Sequence, residues 1–210
     1  MWNRAENKIK GIFIRHGSTV SNREHKYLGR TDEPLEEAGI QKLRHAVLSG
    51  VYDSPDMKEP VVYSSPLIRC IQTAQILYPD AEYRTEEAFS EMDFGAFEGK
   101  DHEQLSMDSR YQKAYQAWID SGGVLPFPNG ESREAFMKRC VNGFERVMRK
   151  TEPEKPVAFV VHGGTIMAIF SHYCSGDYFD YQVGNGCGFR CNIEHTQDGY
   201  MFTDIEAIHI

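Results

Sequence analysis

The spacing of hydrophobic positions changes period several times along this chain, and the changes mark out its elements. Ile9 to Arg15 (IKGIFIR) is a short β-branched and aromatic run that stops at a Gly-Ser-Thr turn, the pattern of a strand buried on both faces of a parallel sheet. Val61 to Ser64 and Val157 to Val161 have the same character. Between them apolar residues recur at three- and four-residue steps: Ile40, Leu43, Val47 and Leu48 after Pro34, and Phe136, Cys140, Phe144, Val147 and Met148 further on. A third helix is predicted in SSPLIRCIQTAQIL, with Ser65 as its cap, Pro66 in the first helical position and Leu67, Ile71, Ala74 and Leu77 as its apolar stripe. That places Arg69 in the helix's first turn. Strand then helix, repeated, predicts an α/β fold with a mostly parallel sheet and helices on both faces, a three-layer sandwich.

Two segments depart from this rhythm. GFRCNIEHTQDGYMFTDIEAI alternates apolar and polar on either side of Asp198-Gly199 and predicts an antiparallel hairpin at the sheet's edge. Residues 92–130 combine a Gly-rich loop (DFGAFEGKD), a helical stretch bearing Tyr111, Tyr115 and Trp118, and GGVLPFPNG. They are assigned to a small helical lid over the open end of the sheet. In open α/β sheets ligands bind beyond the carboxyl ends of the strands, so the site is expected at the loops after Ile14, Ser64 and Val161.

Composition narrows the class without changing this picture. The 210 residues are 40% hydrophobic and 26% charged, and no repeat, charge block or Gly/Ser linker divides them, so a single domain is expected over 1–210, with the lid inserted at about 92–130. A chain this long buries about 70% of its unfolded surface and needs neither disulfide nor metal for a core. The net charge of −8 gives a poor field for nucleic acid or an anionic membrane. The segment MWNRAENKIKGIFIRHG holds no apolar stretch of signal-peptide length, and no run approaches a membrane span. The odd number of scattered cysteines (Cys70, Cys140, Cys174, Cys187 and Cys191) reads as free thiols in a reducing cytoplasm. Nothing in the sequence sets the oligomeric state.

The three strand ends carry one chemical theme: Arg15-His16-Gly17 after the first, Arg69 one helical turn beyond the second, and His162-Gly163-Gly164 after the last. An Arg or a strand-end His taken singly is ordinarily structural. Two guanidiniums and two imidazoles converging at one place suit a dianionic phosphate, because guanidinium forks match phosphate oxygens and the amides of a Gly turn such as Gly163 add uncharged donors.

RHGSTVSN at 15–22 resembles the signature of the histidine phosphatase, or phosphoglycerate-mutase-like, superfamily. GRTDEPLEEAG at 29–39, SSPLIRCIQTA at 64–74, EMDFGAFEG at 91–99, PNGES at 128–132 and HGGTI at 162–166 resemble that family's blocks in its order. RHG alone is weakly specific, whereas the ordered set is strongly so and extends over residues 9–170. The resemblance implies that His16 is the nucleophile and passes through a phosphohistidine, with Arg15, Arg69 and a protonated His162 holding the phosphoryl oxygens. It implies Glu91 as general acid, Asp93 being the nearby rival, and assigns Asn22 and Gly29 to contacts with the phosphoryl group or substrate. No cofactor and no metal are implied. The sequence supplies cationic side chains for the phosphoryl group and lacks an Asp/His cluster of bimetallic type.

The expected reaction is hydrolysis of small phosphorylated metabolites, in a style similar to α-ribazole phosphatases and broad-specificity bacterial phosphatases. A cofactor-dependent phosphoglycerate mutase is the alternative. Mutases of this family usually carry Trp or Phe where Ser21 stands, and a longer insert between the first two Arg segments. A non-catalytic phosphate-binding domain would need a missing catalytic residue, and none is missing. Cys187, Cys191 and His195, with Cys174 or His172, suggest zinc by spacing, but Phe189, Cys191, Ile193 and His195 share one face of an alternating strand, as packing residues do. The aromatic residues of the lid fit either a grip on an apolar leaving group or ordinary packing.

Overall fold

The computed structural model describes residues 8–152, 155–197 and 199–210. Six strands form one sheet in the order β3-β2-β4-β1-β5-β6. Strands β1 (Lys8–Arg15), β2 (Val61–Ser64), β3 (Tyr83–Thr85) and β4 (Val157–Val161) are parallel. The hairpin of β5 (Gly188–Thr196) and β6 (Gly199–Ile208) adds antiparallel against β1, at the edge where the alternation predicts it. Asp198 of the predicted turn lies outside the described residues. The short edge strand β3 escapes the sequence pattern because only three residues pair and none is fully buried.

Alternation within the strands sorts the core into two layers. Phe13, Tyr63, Val157, Phe159 and Val161 face helices α6 (Arg133–Met148) and α7 (Gly163–Tyr173), with the rings of Phe13 and Phe159 stacked 4.4 Å apart. Ile12, Ile14, Val62, Ala158 and Val160 face α2 (Glu37–Leu48) and α3 (Ile68–Leu77). Helices thus cover both faces of the sheet, as the strand-helix rhythm requires. No helix among the described residues is long and apolar enough to cross a membrane.

Residues 92–130 contain a 3-10 turn (Gly95–Phe97), α4 (His102–Met107) and α5 (Gln112–Asp120). Phe97, Leu105, Tyr115 and Phe127 are buried here, and Tyr27, from the loop after the short helix α1 (Val20–Arg23), contacts the rings of Phe97, Tyr115, Trp118 and Phe127. Gly95 has φ +51°, and a Cβ there would overlap the carbonyl oxygen of Pro128, so the loop closes only with glycine.

Register fixes the site's position. Arg15 pairs with Val161 and Ser64 with Val160, so β1, β2 and β4 end at one level. The His16 amide still reaches the Val161 carbonyl (2.9 Å), and the Ser65 amide the Val160 carbonyl (3.1 Å). This corrects the predicted start of α3. Ser65 remains tied to the sheet, and the helix begins at Ile68 with no side-chain cap from Leu67, although the Asp32 Oδ1 accepts the Ile68 amide at 2.6 Å. Arg69 is still in the first turn.

Candidate active site

His16 is buried where β1 runs into its loop. Its Nδ1 lies 2.7 Å from the Gly17 carbonyl oxygen. A carbonyl only accepts, so the bond assigns the proton to Nδ1 and leaves the lone pair on Nε2. Burial, and then the charges of Arg69 and Arg15, hold this imidazole well below its ordinary value. The ring is therefore neutral at physiological pH. The sequence could not say which nitrogen is free, because the bond depends on how the chain turns at Gly17.

The two guanidiniums are anchored by backbone carbonyls. Arg69, fully buried, donates to Thr31 O (2.8 Å) and Gly29 O (2.7 Å), and Arg15 donates to Val183 O (2.8 Å). The Nε of each is buried and bonded to no described residue. A buried donor without a partner costs about 1–3 kcal/mol, and such donors persist where a ligand completes them.

His162 sits at the N-cap of α7 with its ring centroid 5.1 Å from that of His16. Its Nε2 lies 2.8 Å from Ser65 Oγ, and the Cys70 sulfur lies 3.5 Å from the same nitrogen. Burial, then Arg69, His16 and Arg15, push this imidazole well below its ordinary range, so the chain by itself holds it neutral. Only an anion placed beside it reverses that preference.

Glu91 stands between Phe89 and Met92, on the side of the sheet covered by α6 and α7. Its Oε1 accepts the Met92 amide (2.8 Å) and its Oε2 the Gly164 amide (3.3 Å). Burial raises its pKa against the opposing pull of the Met92 amide, Arg69, Arg15 and the Gly164 amide. The rival Asp93 spends Oδ1 on the Gly95 amide (2.8 Å), closing the loop. His16, His162, Arg15, Arg69 and Glu91 thus lie close enough together for their charges to act on one another, with Gly163 packed against the Arg15 side chain at the first position of α7.

Asn22 and Gly29 also make bonds within the protein. The Asn22 Oδ1 accepts the Thr19 amide (3.3 Å) in the capping box of α1 and the Asn185 Nδ2 (3.0 Å). The Gly29 amide is taken by Glu98 Oε1 (2.8 Å) and its carbonyl by Arg69; a Cβ there would overlap the Met92 carbonyl oxygen. The backbone amide and carbonyl of Gly29 are spent inside the protein, whereas Asn22 spends its Oδ1 and backbone amide and keeps its Nδ2 as a donor. Among the described residues no group of three or more His, Cys, Asp or Glu is placed to hold a metal ion. Cys191 is buried, and His195 is exposed beside Tyr200.

Sequence reasoning missed the loop 183–187. The Asn185 Nδ2 donates to His16 O (3.1 Å) and Gly17 O (3.3 Å), and the Gly186 amide to Arg15 O (3.0 Å). Gly-Asn-Gly before the hairpin was a turn signal, but nothing in it pointed 168 residues upstream. Thr73, which accepts the Gly17 amide (3.0 Å), was read only as part of a helix.

Comparison with known proteins agrees with this geometry. Residues 12–200 match the family model of the histidine phosphatase superfamily (branch 1). The uncharacterized phosphatase PhoE of Bacillus subtilis is 29% identical, covering 91% of this chain and 91% of its own. The 2,3-bisphosphoglycerate-dependent phosphoglycerate mutase 2 of Gloeobacter violaceus is 28% identical over 75% of this chain and 72% of its own. Among solved structures, a putative alpha-ribazole-5'-P phosphatase from Escherichia coli superposes with a TM-score of 0.79 at 21% identity, covering 96% of each chain. The alpha-ribazole phosphatase of Shigella flexneri gives 0.77 at 22%, covering 92% and 94%. At those identities the structural likeness is one of fold.

Proposed function

The chain belongs to branch 1 of the histidine phosphatase superfamily, and from that premise we propose that it is a metal-independent phosphomonoesterase of small phosphorylated metabolites working through a phosphohistidine on His16. The observation that carries this reading is the bond from His16 Nδ1 to Gly17 O, which leaves Nε2 a neutral nucleophile between Arg15, Arg69 and His162.

In the first step Nε2 attacks phosphorus and the ester P–O bond breaks. The departing alkoxide takes the proton of Glu91, whose burial favours the protonated form. In the second step Glu91 takes a proton from water, the water oxygen bonds to phosphorus, the N–P bond breaks, and inorganic phosphate leaves with His16 restored. Charge spreads over the equatorial oxygens in each transition state, where the unpartnered Arg15 Nε and Arg69 Nε can donate and where the phosphoryl dianion favours a charged His162. Residues 92–130 act as the lid that shields this chemistry, and the five free thiols support a cytoplasmic setting.

The test is turnover of para-nitrophenyl phosphate and of a panel of metabolite phosphates, with acid-quench trapping. An acid-labile, base-stable phosphate on His16, an inactive but folded His16→Ala variant and indifference to chelator are expected. Wild-type turnover in His16→Ala refutes the nucleophile. Isomerisation of 3-phosphoglycerate outrunning phosphate release, stimulated by 2,3-bisphosphoglycerate, would instead make the protein a mutase like its relative from Gloeobacter violaceus.

A further inference from the structure

Glu91 lies in a stretch of chain that belongs to neither the sheet nor a long helix. Residues 87–93 make one 3-10 turn (Glu87–Phe89) and then cross the mouth of the core towards the loop at Gly95. Their backbone is gathered by one side chain from α6. Arg139 Nη1 donates to Ala88 O (2.8 Å) and Ser90 O (2.9 Å), and Nη2 approaches Glu91 O (3.4 Å). Its Nε and Nη2 also grip the Glu131 carboxylate in a two-pronged pair at 2.9 and 2.8 Å. Glu131 then holds the far side: its Oε2 accepts the Asp93 amide (3.2 Å), and its own amide donates to Asp93 O (2.9 Å).

One ion pair therefore fixes the backbone before, at and after Glu91. The two side chains retain only 22% and 16% exposure, which separates them from the exposed pairs that contribute little. The guanidinium lies over the Phe136 ring (4.9 Å), and that fully buried ring packs beside Gly164, the donor to Glu91 Oε2. The clamp and the carboxyl's own hydrogen bond thus share one support.

We propose that Arg139, with Glu131 as its counter-ion, is the positioning residue for the Glu91 carboxyl. The inference rests on the reading of Glu91 as the proton donor. Arg139 touches no reacting atom. A general acid must stand within hydrogen-bond reach of the leaving oxygen, and a displacement of about 1 Å can cost about a hundredfold in rate. Loosening the clamp therefore impairs proton delivery and spares attack by His16.

The experiment compares kcat and KM of Arg139→Met, Glu131→Gln, Glu91→Gln and the double variant Glu91→Gln/Arg139→Met on two substrates. Para-nitrophenyl phosphate releases a phenolate that needs no proton, whereas glycerol phosphate releases an alkoxide that does. Arg139→Met is expected to lose about 10- to 100-fold in kcat on glycerol phosphate and less than about threefold on the aryl ester, with KM little changed. Glu131→Gln, which keeps its shape, should show the same selectivity more weakly and carries the test if Arg139→Met does not fold. The double variant should be no slower than Glu91→Gln alone, since residues acting through one group are not additive. Equal losses on both substrates, or an additive double variant, overturn the proposal while a selective Glu91→Gln leaves the acid assignment standing. A Glu91→Gln variant that shows no selectivity overturns the acid assignment and this inference together.

Discussion

His16 and Glu91 are both buried, and burial moves their titration in opposite directions. Burial disfavours charge on both, so it pushes the imidazole down and the carboxyl up. The two shifts bring a neutral base and a neutral acid towards one range of pH, whereas the ordinary values of a histidine and a glutamate keep them apart. The sign of the pH dependence follows. His16, held below its ordinary value of 6.5, stays unprotonated as pH falls through that value, and Glu91, held above 4.5, loses its proton as pH rises. With glycerol phosphate, kcat/KM should show no enzyme-borne loss on acidification through pH 6.5 and should decline on the alkaline side, and Glu91→Gln should remove that decline. A one-proton fall in rate on acidification through pH 6.5 that belongs to the enzyme rather than the substrate would contradict the burial argument.

At the scale of elements, α3 shows how the fold redistributes local signals. Ser65 and Pro66 form a helix-start signature, yet the ladder bond from the Ser65 amide to Val160 O keeps the strand going, and the Ser65 hydroxyl faces His162. The cap comes from Asp32, in the loop that also lends the Thr31 and Gly29 carbonyls to Arg69. One loop thereby sets both the start of α3 and the aim of its guanidinium. Asp32→Ala is expected to lower unfolding free energy by about 1 kcal/mol, the usual worth of such a cap. Ser65→Ala is expected to lower kcat through His162 and, because Ser65 Oγ also accepts the Leu67 amide at 3.3 Å, to cost the helix start less than Asp32→Ala does. Urea unfolding and steady-state kinetics on the two variants separate these roles, and a helix-destabilising Ser65→Ala with normal kcat would restore the local reading.

For the molecule as a whole, the site concentrates buried positive charge in a chain whose net charge is −8. Two guanidiniums with unpartnered Nε atoms and two imidazoles held neutral leave the folded state with unsatisfied donors that an anion would complete. A ligand that binds only the folded chain stabilises it by about 2.7 kcal/mol at a hundredfold excess over Kd. In a domain of this size each kcal/mol raises Tm by about 2–4 °C. Orthovanadate, whose trigonal-bipyramidal geometry resembles the transition state, should therefore raise Tm by about 5–11 °C at that excess. The shift should shrink in His16→Ala and persist in chelator. Absence of any shift in the wild-type protein would argue against an anion site at these strand ends.

The sequence by itself determined the layered α/β fold, the strands β1, β2 and β4, the edge hairpin, and the residues that the site gathers. Those are legible because burial on both faces, period-3.6 stripes and a Gly turn after a strand are local patterns with local causes. It could not separate residues that face the pocket from residues that hold it. Gly29 stands in the same motifs as His16 and Arg69, but only the folded chain shows its amide taken by Glu98 and its carbonyl by Arg69. The free nitrogen of His16, the clamp of Arg139 on the Glu91 segment and the hold of loop 183–187 on Arg15 and His16 were likewise decided in three dimensions. Each is a hydrogen bond between groups far apart in the chain, or a bond set by the path of one turn. Hydrophobic periodicity carries no record of such partners, because it reports which side of an element is buried and not which polar group meets it there.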